Sequence, residues 1–167
     1  MDSAIGGKAE LSLKMAGDSL SKMLVGSYFD CFSVSSIPVS LKFINDNVFP
    51  GKSLYVDVDF SCDAVMGCDS CKAIDDSVEG FFTRRAKFLA DLYSCIGREV
   101  ADIHLEVDGS LAISIGGSVI TMQLAQEEKG QEDSVWKVEM EMPVGHLMST
   151  VNSVMCVPKA DGVSFLS

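Results

Sequence analysis

The sequence predicts an α+β fold built from two similar units, each a helix followed by four antiparallel strands. Three observations support this prediction. Two amphipathic segments each run into a glycine, Gly26 or Gly97. Three positions after each glycine stands an apolar residue, Phe29 or Val100. About fourteen residues after each glycine, a strand opens with Ser-Leu. The predicted order is α-ββββ-α-ββββ-α in a single domain, with repeats at about 11–75 and 79–157.

The first unit opens with a predicted helix, because its apolar residues recur at intervals of three and four and so share one helical face. These residues are Leu13, Ala16, Leu20, Met23 and Leu24. Gly26 suits a left-handed helix end. Strands are predicted at 29–35, 38–44 and 54–60, the last with strict alternation of apolar and polar residues. A fourth strand is expected within 62–80.

The second unit repeats this pattern, with a helix predicted from about Glu79 to Ile96. Its apolar stripe comprises Phe81, Phe82, Arg85, Phe88, Leu89, Leu92 and Ile96, where Arg85 contributes its aliphatic stem. Strands are predicted at 100–107, 110–115, 119–125 and 135–142. Asp108-Gly109 and Gly116-Gly117 are typical of two-residue hairpin turns between the first three of them.

The two ends of the chain have separate predictions. Residues 1–10 are small and glycine-containing, and we expect them to be flexible. Near the other end, Pro143 suits the first turn of a last helix, and Pro158 prevents its continuation. The apolar face of this predicted helix consists of Leu147, Val151, Val154 and Met155.

Composition limits the classes of function. The chain has 167 residues, of which 24 are acidic and 13 basic, giving a net charge of −11. This charge disfavours direct binding to nucleic acid, since phosphates are also negative. It suits a basic partner instead. No apolar run reaches the length of a membrane span. Six cysteines without a recognisable export signal lead us to expect reduced thiols in the cytoplasm.

Catalytic and metal-binding motifs are weak in this sequence. Cys62, Cys68 and Cys71 form a C-x5-C-x2-C cluster, whereas a structural zinc site needs four ligands. A metal at this cluster, a redox dithiol and plain thiols remain as alternatives, with plain thiols favoured. His104 stands near Asp102 and Glu106, and this arrangement is more typical of a charged strand surface than of an acid–base pair. We therefore expect no enzyme and no cofactor.

Outward-facing acidic residues are the preferred candidates for partner binding. They occur in pairs on three predicted strands, and curvature of a sheet would bring them into one acidic face. The candidates are Asp57, Asp59, Asp102, Glu106, Glu139 and Glu141. The alternative is that they are ordinary charged residues on solvated strand faces.

The α-ββββ-α-ββββ-α order resembles the Whirly architecture, in which two four-stranded sheets with helices form a pseudo-twofold unit. Whirly proteins bind single-stranded DNA through exposed basic and aromatic surfaces. The outward strand positions here, such as Asp57 and Asp59, are acidic. The resemblance therefore implies a fold, and the activity is not transferred.

A second resemblance concerns residues 96–140. The segments Ile96–Ile103 and Gly109–Ile113, followed by Trp136, are similar to a pattern found in small cytosolic immunity proteins of bacterial toxin systems, including contact-dependent growth inhibition. This resemblance implies a monomeric, non-catalytic inhibitor that binds one basic toxin domain, often a nuclease, in a 1:1 complex. Some inhibitors of this kind accept a strand of the toxin at a sheet edge.

A type III secretion chaperone is the alternative function. Proteins of that class are also small, acidic, cytosolic and α+β. They are usually homodimers that hold an unfolded segment of an effector protein along apolar patches. An immunity protein, in contrast, is more often a monomer that binds one folded domain, so the oligomeric state together with the folded state of the partner distinguishes the two functions.

Overall fold

The computed structural model describes residues 9–34, 39–60, 64–68, 77–124, 134–141 and 152–167. Within these ranges the chain forms two helices and two antiparallel sheets, which confirms the predicted α+β class. The helices are α1 (Leu13–Leu24) and α2 (Val78–Cys95). The strands are β1 (Glu10–Leu11), β2 (Tyr28–Val34), β3 (Val39–Asn45), β4 (Leu54–Phe60), β5 (Ala64–Cys68), β6 (Val100–Leu105), β7 (Leu111–Ile115), β8 (Ser118–Leu124), β9 (Trp136–Met140), β10 (Ser153–Lys159) and β11 (Gly162–Leu166).

Both helices begin and end as their sequences predict. The hydroxyl of Ser12 accepts a hydrogen bond from the Met15 amide at 3.2 Å, and Ser77 caps α2 in the same way through the Gly80 amide at 3.0 Å. Each helix stops two residues before its glycine. Gly26 and Gly97 have φ values of 78° and 77°, the left-handed conformation in which glycine has no steric penalty.

The strands form a seven-stranded sheet with the order β1-β11-β10-β9-β4-β3-β2 and a four-stranded sheet with the order β5-β8-β7-β6. The turn between β7 and β8 is the predicted two-residue turn at Gly116-Gly117, because Ile115 pairs with Ser118. The turn between β6 and β7 contains Asp108-Gly109 but is longer than the predicted two residues, since the strand pairing ends at Leu105 and Leu111. Gly109, Gly116 and Gly117 all have positive φ there, as tight hairpin turns require.

Strand pairing differs from the prediction that each repeat forms its own four-stranded sheet. β5 follows β4 in the chain but pairs with β8, and β9 follows β8 but pairs with β4. The fourth strand of each unit therefore lies in the sheet of the other unit. Periodicity in a sequence specifies which face of a strand is buried, but it does not specify the neighbouring strand.

The prediction of a last helix is wrong for the part of it that the structure describes. Val154 and Met155 lie in β10, which pairs with β9 and β11, and Pro158 is opposite Val163 within that second pairing. Val154 and Cys156 are fully buried on the inner side of the sheet. The apolar residues at 151, 154 and 155 fit a helical face. A strand that is buried on both faces is equally rich in apolar residues, so the pattern does not distinguish the two. The expected start of that helix, with Pro143 and Leu147, lies outside the described residues.

The N-terminal segment is described from residue 9 onward. Glu10 and Leu11 pair with Leu166 and Phe165 at the edge of the seven-stranded sheet. The Glu10 carboxylate also accepts a hydrogen bond from Lys159 Nζ at 2.8 Å. The Ser167 amide donates to the Ala9 carbonyl at 3.0 Å. The expected flexibility of residues 1–10 therefore does not extend to Ala9 and Glu10, and residues 1–8 lie outside the described residues.

The two sheets are joined by matching backbone hydrogen bonds after the helices. The Gly26 amide donates to the Val100 carbonyl at 2.9 Å, and the Gly97 amide donates to the Phe29 carbonyl at 2.7 Å. In return, Phe29 donates to Arg98 at 2.9 Å and Val100 donates to Ser27 at 2.8 Å. These four bonds hold the starts of β2 and β6 together.

The core lies between the sheets and the helices. Trp136 is fully buried, and its indole Nε1 donates to the Gly109 carbonyl at 2.8 Å. This bond anchors the β6–β7 turn on the seven-stranded sheet. A Cβ at Gly109 would lie 2.7 Å from Cys156 Sγ, so the close approach requires glycine. No helix in the described part of the chain is long and apolar enough to cross a membrane.

Candidate partner-binding face

Four of the six acidic candidates lie on one side of the seven-stranded sheet, which we call the outer face. This face is formed by the residues of β3, β4 and β9 that alternate with the buried ones, together with Glu141 directly after β9. Cross-strand register arranges them in three rows: Ile44–Tyr55–Glu141, Lys42–Asp57–Glu139 and Ser40–Asp59–Lys137. The first residue of each row lies on β3 and the second on β4.

The alternating burial of the strands places these side chains outward. Leu41, Val56 and Val58 are at most 1% exposed, which fixes one side of β3 and β4 in the core. Because successive side chains point to opposite faces, Lys42, Asp57 and Asp59 face solvent. β9 continues the pattern, with Val138 buried and Glu139 exposed.

Lysines are interleaved with the acidic residues of the outer face. Lys42 Nζ lies 3.5 Å from Asp57 Oδ1 and 5.1 Å from the centre of the Tyr55 ring. Lys137 Nζ forms an ion pair with Glu139 Oε2. The Ser40 hydroxyl donates a hydrogen bond of 2.6 Å to Asp59 Oδ1. The outer face therefore carries positive charges between its negative ones and is not uniformly acidic.

The net charge of the outer face is still negative. Four carboxylates (Asp57, Asp59, Glu139 and Glu141) and two lysines (Lys42 and Lys137) give a net charge of −2. These ion pairs are solvent-exposed, so each contributes little to folding stability. Their arrangement within the sheet therefore matters more for binding a partner than for the stability of the fold.

Asp102 and Glu106 are not part of the outer face. Asp102 lies on β6 of the four-stranded sheet, and Glu106 directly follows that strand. The His104 ring Nε2 lies 2.7 Å from Glu106 Oε1, with 69% of the histidine side chain and 57% of the glutamate side chain exposed. Water surrounds this pair, so it is a surface interaction on an edge strand.

A shallow depression of about 330 Å³ adjoins the outer face on the side of β2. It is lined by Cys31, Phe32, Ser33, Ser40, Leu41, Lys42 and Asp57. Partial burial raises the pKa of the Cys31 thiol, and the neighbouring Asp30 raises it further. The thiol is therefore held in its neutral, weakly nucleophilic form.

The metal candidate from the sequence falls mostly outside the described residues. Cys62 and Cys71 lie outside the described residues, and of Cys68 the structure describes only the backbone, within β5. Among the residues with described side chains, no three His, Cys, Asp or Glu side chains are grouped so as to hold a metal ion. Burial raises the pKa of the Cys156 thiol to about 12, with a smaller contribution from Asp108.

The lysines of the outer face are the residues that sequence reasoning missed. Neither Lys137 nor Lys42 is among the candidates from the sequence. The signal was present for Lys137, because it alternates with Trp136 and Val138. No sequence signal placed Lys42 opposite Asp57, because that depends on the register between β3 and β4.

Comparisons of this chain with protein-family models, with curated proteins and with solved structures give no match.

Proposed function

We propose that this protein is an immunity protein that binds and neutralises a cognate basic toxin domain, a nuclease being the best-suited class. The observation that carries the proposal is the outer face, where four carboxylates on or directly after β4 and β9 lie on the same side of the sheet as Tyr55. Regular strands position charged groups more accurately than loops do. Tyrosine is also enriched in protein interfaces because it combines a large apolar ring with a polar hydroxyl.

The alternating charges of the outer face are better suited to binding a protein surface than to attracting free cations. A nuclease active site presents basic residues for phosphate binding, and the carboxylates of the outer face offer negative oxygens in place of phosphate. Lys42 and Lys137 add positive positions that only a matching partner accommodates, which favours specificity. We propose that inhibition is non-catalytic, uses no cofactor, takes place in the cytoplasm and involves one toxin domain per chain.

Sheet edges offer a second mode of contact for the same function. β2 and β6 are the last strands of their sheets, and beyond their shared start no described strand pairs with their outer sides. A strand of the toxin could add at either edge through main-chain hydrogen bonds. Asp102 and Glu106 on or beside β6 would then contact the added strand.

Identification of the bound protein is the experiment that tests the proposal. The tagged chain is used to isolate its partner from the cytoplasm of the source cells, and mass spectrometry and light scattering give the partner's identity and stoichiometry. We expect a folded basic domain of a larger toxin, in equal numbers with this chain, whose activity stops at equimolar ratio. A bound protein with no toxic or nuclease activity contradicts the proposal.

Charge reversal on the outer face tests where that partner binds. Asp57→Lys and Glu139→Lys should each lower the association rate constant about tenfold at low ionic strength, with a smaller effect at high salt. Asp59→Lys and Glu141→Lys should act in the same direction. Asp161→Lys is the matched control, because this exposed aspartate lies in the β10–β11 turn, outside the outer face. If all four reversals behave like the control, the outer face is not the interface.

Binding at a sheet edge predicts a different result. The affinity would depend little on salt, and the backbone amides of β2 or β6 would exchange more slowly with solvent in the complex. Asp102→Lys would weaken binding only if the contacted edge is β6.

A type III secretion chaperone is the second candidate, and exposed apolar residues on α2 favour it. Phe81, Phe82 and Tyr93 are solvent-exposed on that helix, as a surface that holds an unfolded effector segment requires. The isolated partner distinguishes the two functions, because a chaperone binds its effector segment in an unfolded state.

We also infer that the two units are equivalent halves of a Whirly-like arrangement. The matching hydrogen bonds of Gly26 and Gly97 support this inference, because each glycine donates to the residue three positions after the other one. A β-bulge near the start of β2 and another near the start of β6 also support it. An experimental structure tests the inference: residues 13–60 should superpose on residues 78–124.

A further inference from the structure

We propose that α2 and the adjacent edge strand β5 form the interface of a homodimer, in which a second copy of this chain covers the exposed apolar side of α2. This inference does not depend on the identity of the toxin. It departs from the monomer that the immunity-protein resemblance implies, and it assigns the exposed residues of α2 to a second copy in place of an effector segment. It starts from a group of large apolar side chains on α2 that the fold leaves in water. Val78 is 78% exposed, Phe81 48%, Phe82 63% and Tyr93 73%.

The exposed residues follow the geometry of a helix–helix contact. Phe82, Ala86, Leu89 and Tyr93 are separated by four, three and four residues, so they lie along one side of α2. This spacing is typical of the contact line between two packed helices. Leu89 is half-buried and Ala86 is exposed, so the line is accessible along its length.

Phe82, Ala86, Leu89 and Tyr93, which we call the contact line, are complementary to the same four residues of a second copy. Phe82 and Tyr93 lie at equal distances from the midpoint of the contact line, which falls between Lys87 and Phe88. In an antiparallel pair related by a twofold axis, Phe82 therefore meets Tyr93 of the second copy. Ala86 meets Leu89 of the second copy, so a small residue faces a larger one. A twofold interface requires this kind of self-matching surface.

The exposed apolar area approaches what a specific dimer needs. Taking about 200 Å² for an aromatic side chain, the exposed parts of Phe81, Phe82 and Tyr93 offer roughly 350 Å² per copy. Two copies therefore bury about 700 Å² from these rings alone. Val78, Ala86 and the strand edge raise the total toward the ~1,000 Å² that a specific interface needs.

Local charge favours a second copy over a basic partner at this surface. The chain as a whole carries −11, which would make most pairs of its surfaces repel. α2 is an exception, because Arg84, Arg85 and Lys87 outnumber Glu79 and Asp91, giving a local charge of +1. Two copies can meet here without strong acidic repulsion, whereas a basic toxin domain gains nothing from this face.

The edge of the small sheet supports the same interface. β5 contacts α2, and no strand pairs with its outer side in the described part of the chain. In the large sheet, β9 has the corresponding place beside β4, and there β10 fills the next position. A second β5 would fill the empty position antiparallel to the first. The Ala64–Cys68 segment has no charged residue, so this edge lacks one of the features that prevent edge-to-edge association.

Sedimentation equilibrium on the full-length chain tests the proposal with two opposite substitutions at one exposed helix position. The natural chain should be a dimer, with association strengthened by salt, because salt screens the repulsion between the two acidic copies. Ala86→Lys and Ala86→Glu should each raise the dimer Kd about a hundredfold, since each places two like charges near the centre of the interface. Mixing the two variants in equal amounts should restore a dimer that contains one copy of each.

Val107→Lys is the matched control, because Val107 is 76% exposed in the β6–β7 turn and should not affect dimerisation. Restoration by mixing excludes misfolding as the cause of dissociation. A natural chain that sediments as a monomer, single variants that remain dimeric, or a mixture that stays monomeric would each overturn the proposal. The outer face takes no part in this interface, so toxin binding can be present with or without the dimer, and the two tests fail independently.

Discussion

Helices α1 and α2 have nearly the same local structure but different surroundings. Each has a serine cap at its start and a left-handed glycine after its end. α1 packs against β6, β3, β10, β11 and β1, whereas α2 packs mainly against β5 and β2. The difference comes from the C-terminal strands, which extend the large sheet beside α1 and have no described counterpart beside α2. Local sequence therefore determines where a helix begins and ends, while distant strands determine how much of it is buried.

The ends of the two helices show the same contrast in hydrogen bonding. Asn45 Nδ2 donates to the Met23 carbonyl at 2.8 Å, and Asn47 Nδ2 donates to the Gly26 carbonyl at 3.0 Å. These side chains reach back from the end of β3 to satisfy carbonyls at the end of α1. Both ends also have the same local backbone bond: the Arg98 amide donates to the Cys95 carbonyl at 2.9 Å after α2, and the Ser27 amide donates to the Leu24 carbonyl at 3.0 Å after α1. The first helix end is therefore tied to its sheet by side chains.

The largest expected effect is a difference between buried leucines on the two helices. Leu20 on α1 and Leu92 on α2 are both fully buried. Leu20→Ala should lower the free energy of unfolding by about 3–5 kcal/mol, and Leu92→Ala by about 2–3 kcal/mol, because the more open surroundings of α2 relax into the cavity more easily. Urea denaturation followed by circular dichroism measures both.

The same measurement can contradict the proposed difference between the two helices. If Leu92→Ala destabilises the protein as much as Leu20→Ala does, the strands beside α1 do not restrict relaxation, and the two helices are energetically equivalent. The measurements should be made at a protein concentration where the oligomeric state is the same for both variants, because dimerisation contributes to apparent stability.

Elements with strong local signals were predictable from the sequence, and those defined by long-range pairing were not. β4 has the predicted bounds, because Leu54, Val56 and Val58 alternate with polar residues. Both helices and the Asp108-Gly109 turn were predicted for similar local reasons. β10 was predicted as a helix, because Val154 and Met155 fit a helical face and only pairing with β9 and β11 makes the segment a strand.

The candidate site was partly predictable for the same reason. The outward direction of Asp57, Asp59 and Glu139 follows from alternation within each strand. That Asp57 lies between Lys42 and Glu139 follows from the pairing of β4 with β3 and β9, and β9 comes from the other repeat. The separation of Asp102 from this group is likewise a consequence of the sheet to which β6 belongs.

The second-largest expected effect is the loss of stability when the glycine after either helix is replaced. Alanine at either position must adopt a positive φ, which costs about 1 kcal/mol. A Cβ at Gly26 would also lie 2.9 Å from Asn47 Nδ2, whereas a Cβ at Gly97 has no atom within 4 Å. We expect Gly97→Ala to cost about 1 kcal/mol and Gly26→Ala about 2 kcal/mol in urea denaturation.

A double-mutant cycle identifies the cause of that difference. Asn47→Ala removes both the close contact and the hydrogen bond to the Gly26 carbonyl, at a cost of about 1 kcal/mol. Combined with Gly26→Ala, it should cost less than the sum of the two single changes, because the steric conflict is then absent. Additive costs would show that Asn47 does not limit substitution at Gly26 and that the two glycine turns differ for another reason.

The smallest expected effect concerns the thiol of Cys156 on β10, one of the strands that pack against α1. Burial raises the pKa of Cys156 on β10 from 9.0 to about 12, so the folded protein keeps its proton at pH values where the unfolded chain loses it. Its contribution to stability is complete below pH 9 and declines as the pH rises toward 12. Raising the pH from about 8 to about 10 should lower the free energy of unfolding by about 1 kcal/mol through this group.

Cys156→Ala should remove that part of the decline, whereas Cys31→Ala, at an exposed position, should change it much less. An unchanged pH dependence in Cys156→Ala would mean that β10 opens readily, and the proposed difference in enclosure between α1 and α2 would then be lost.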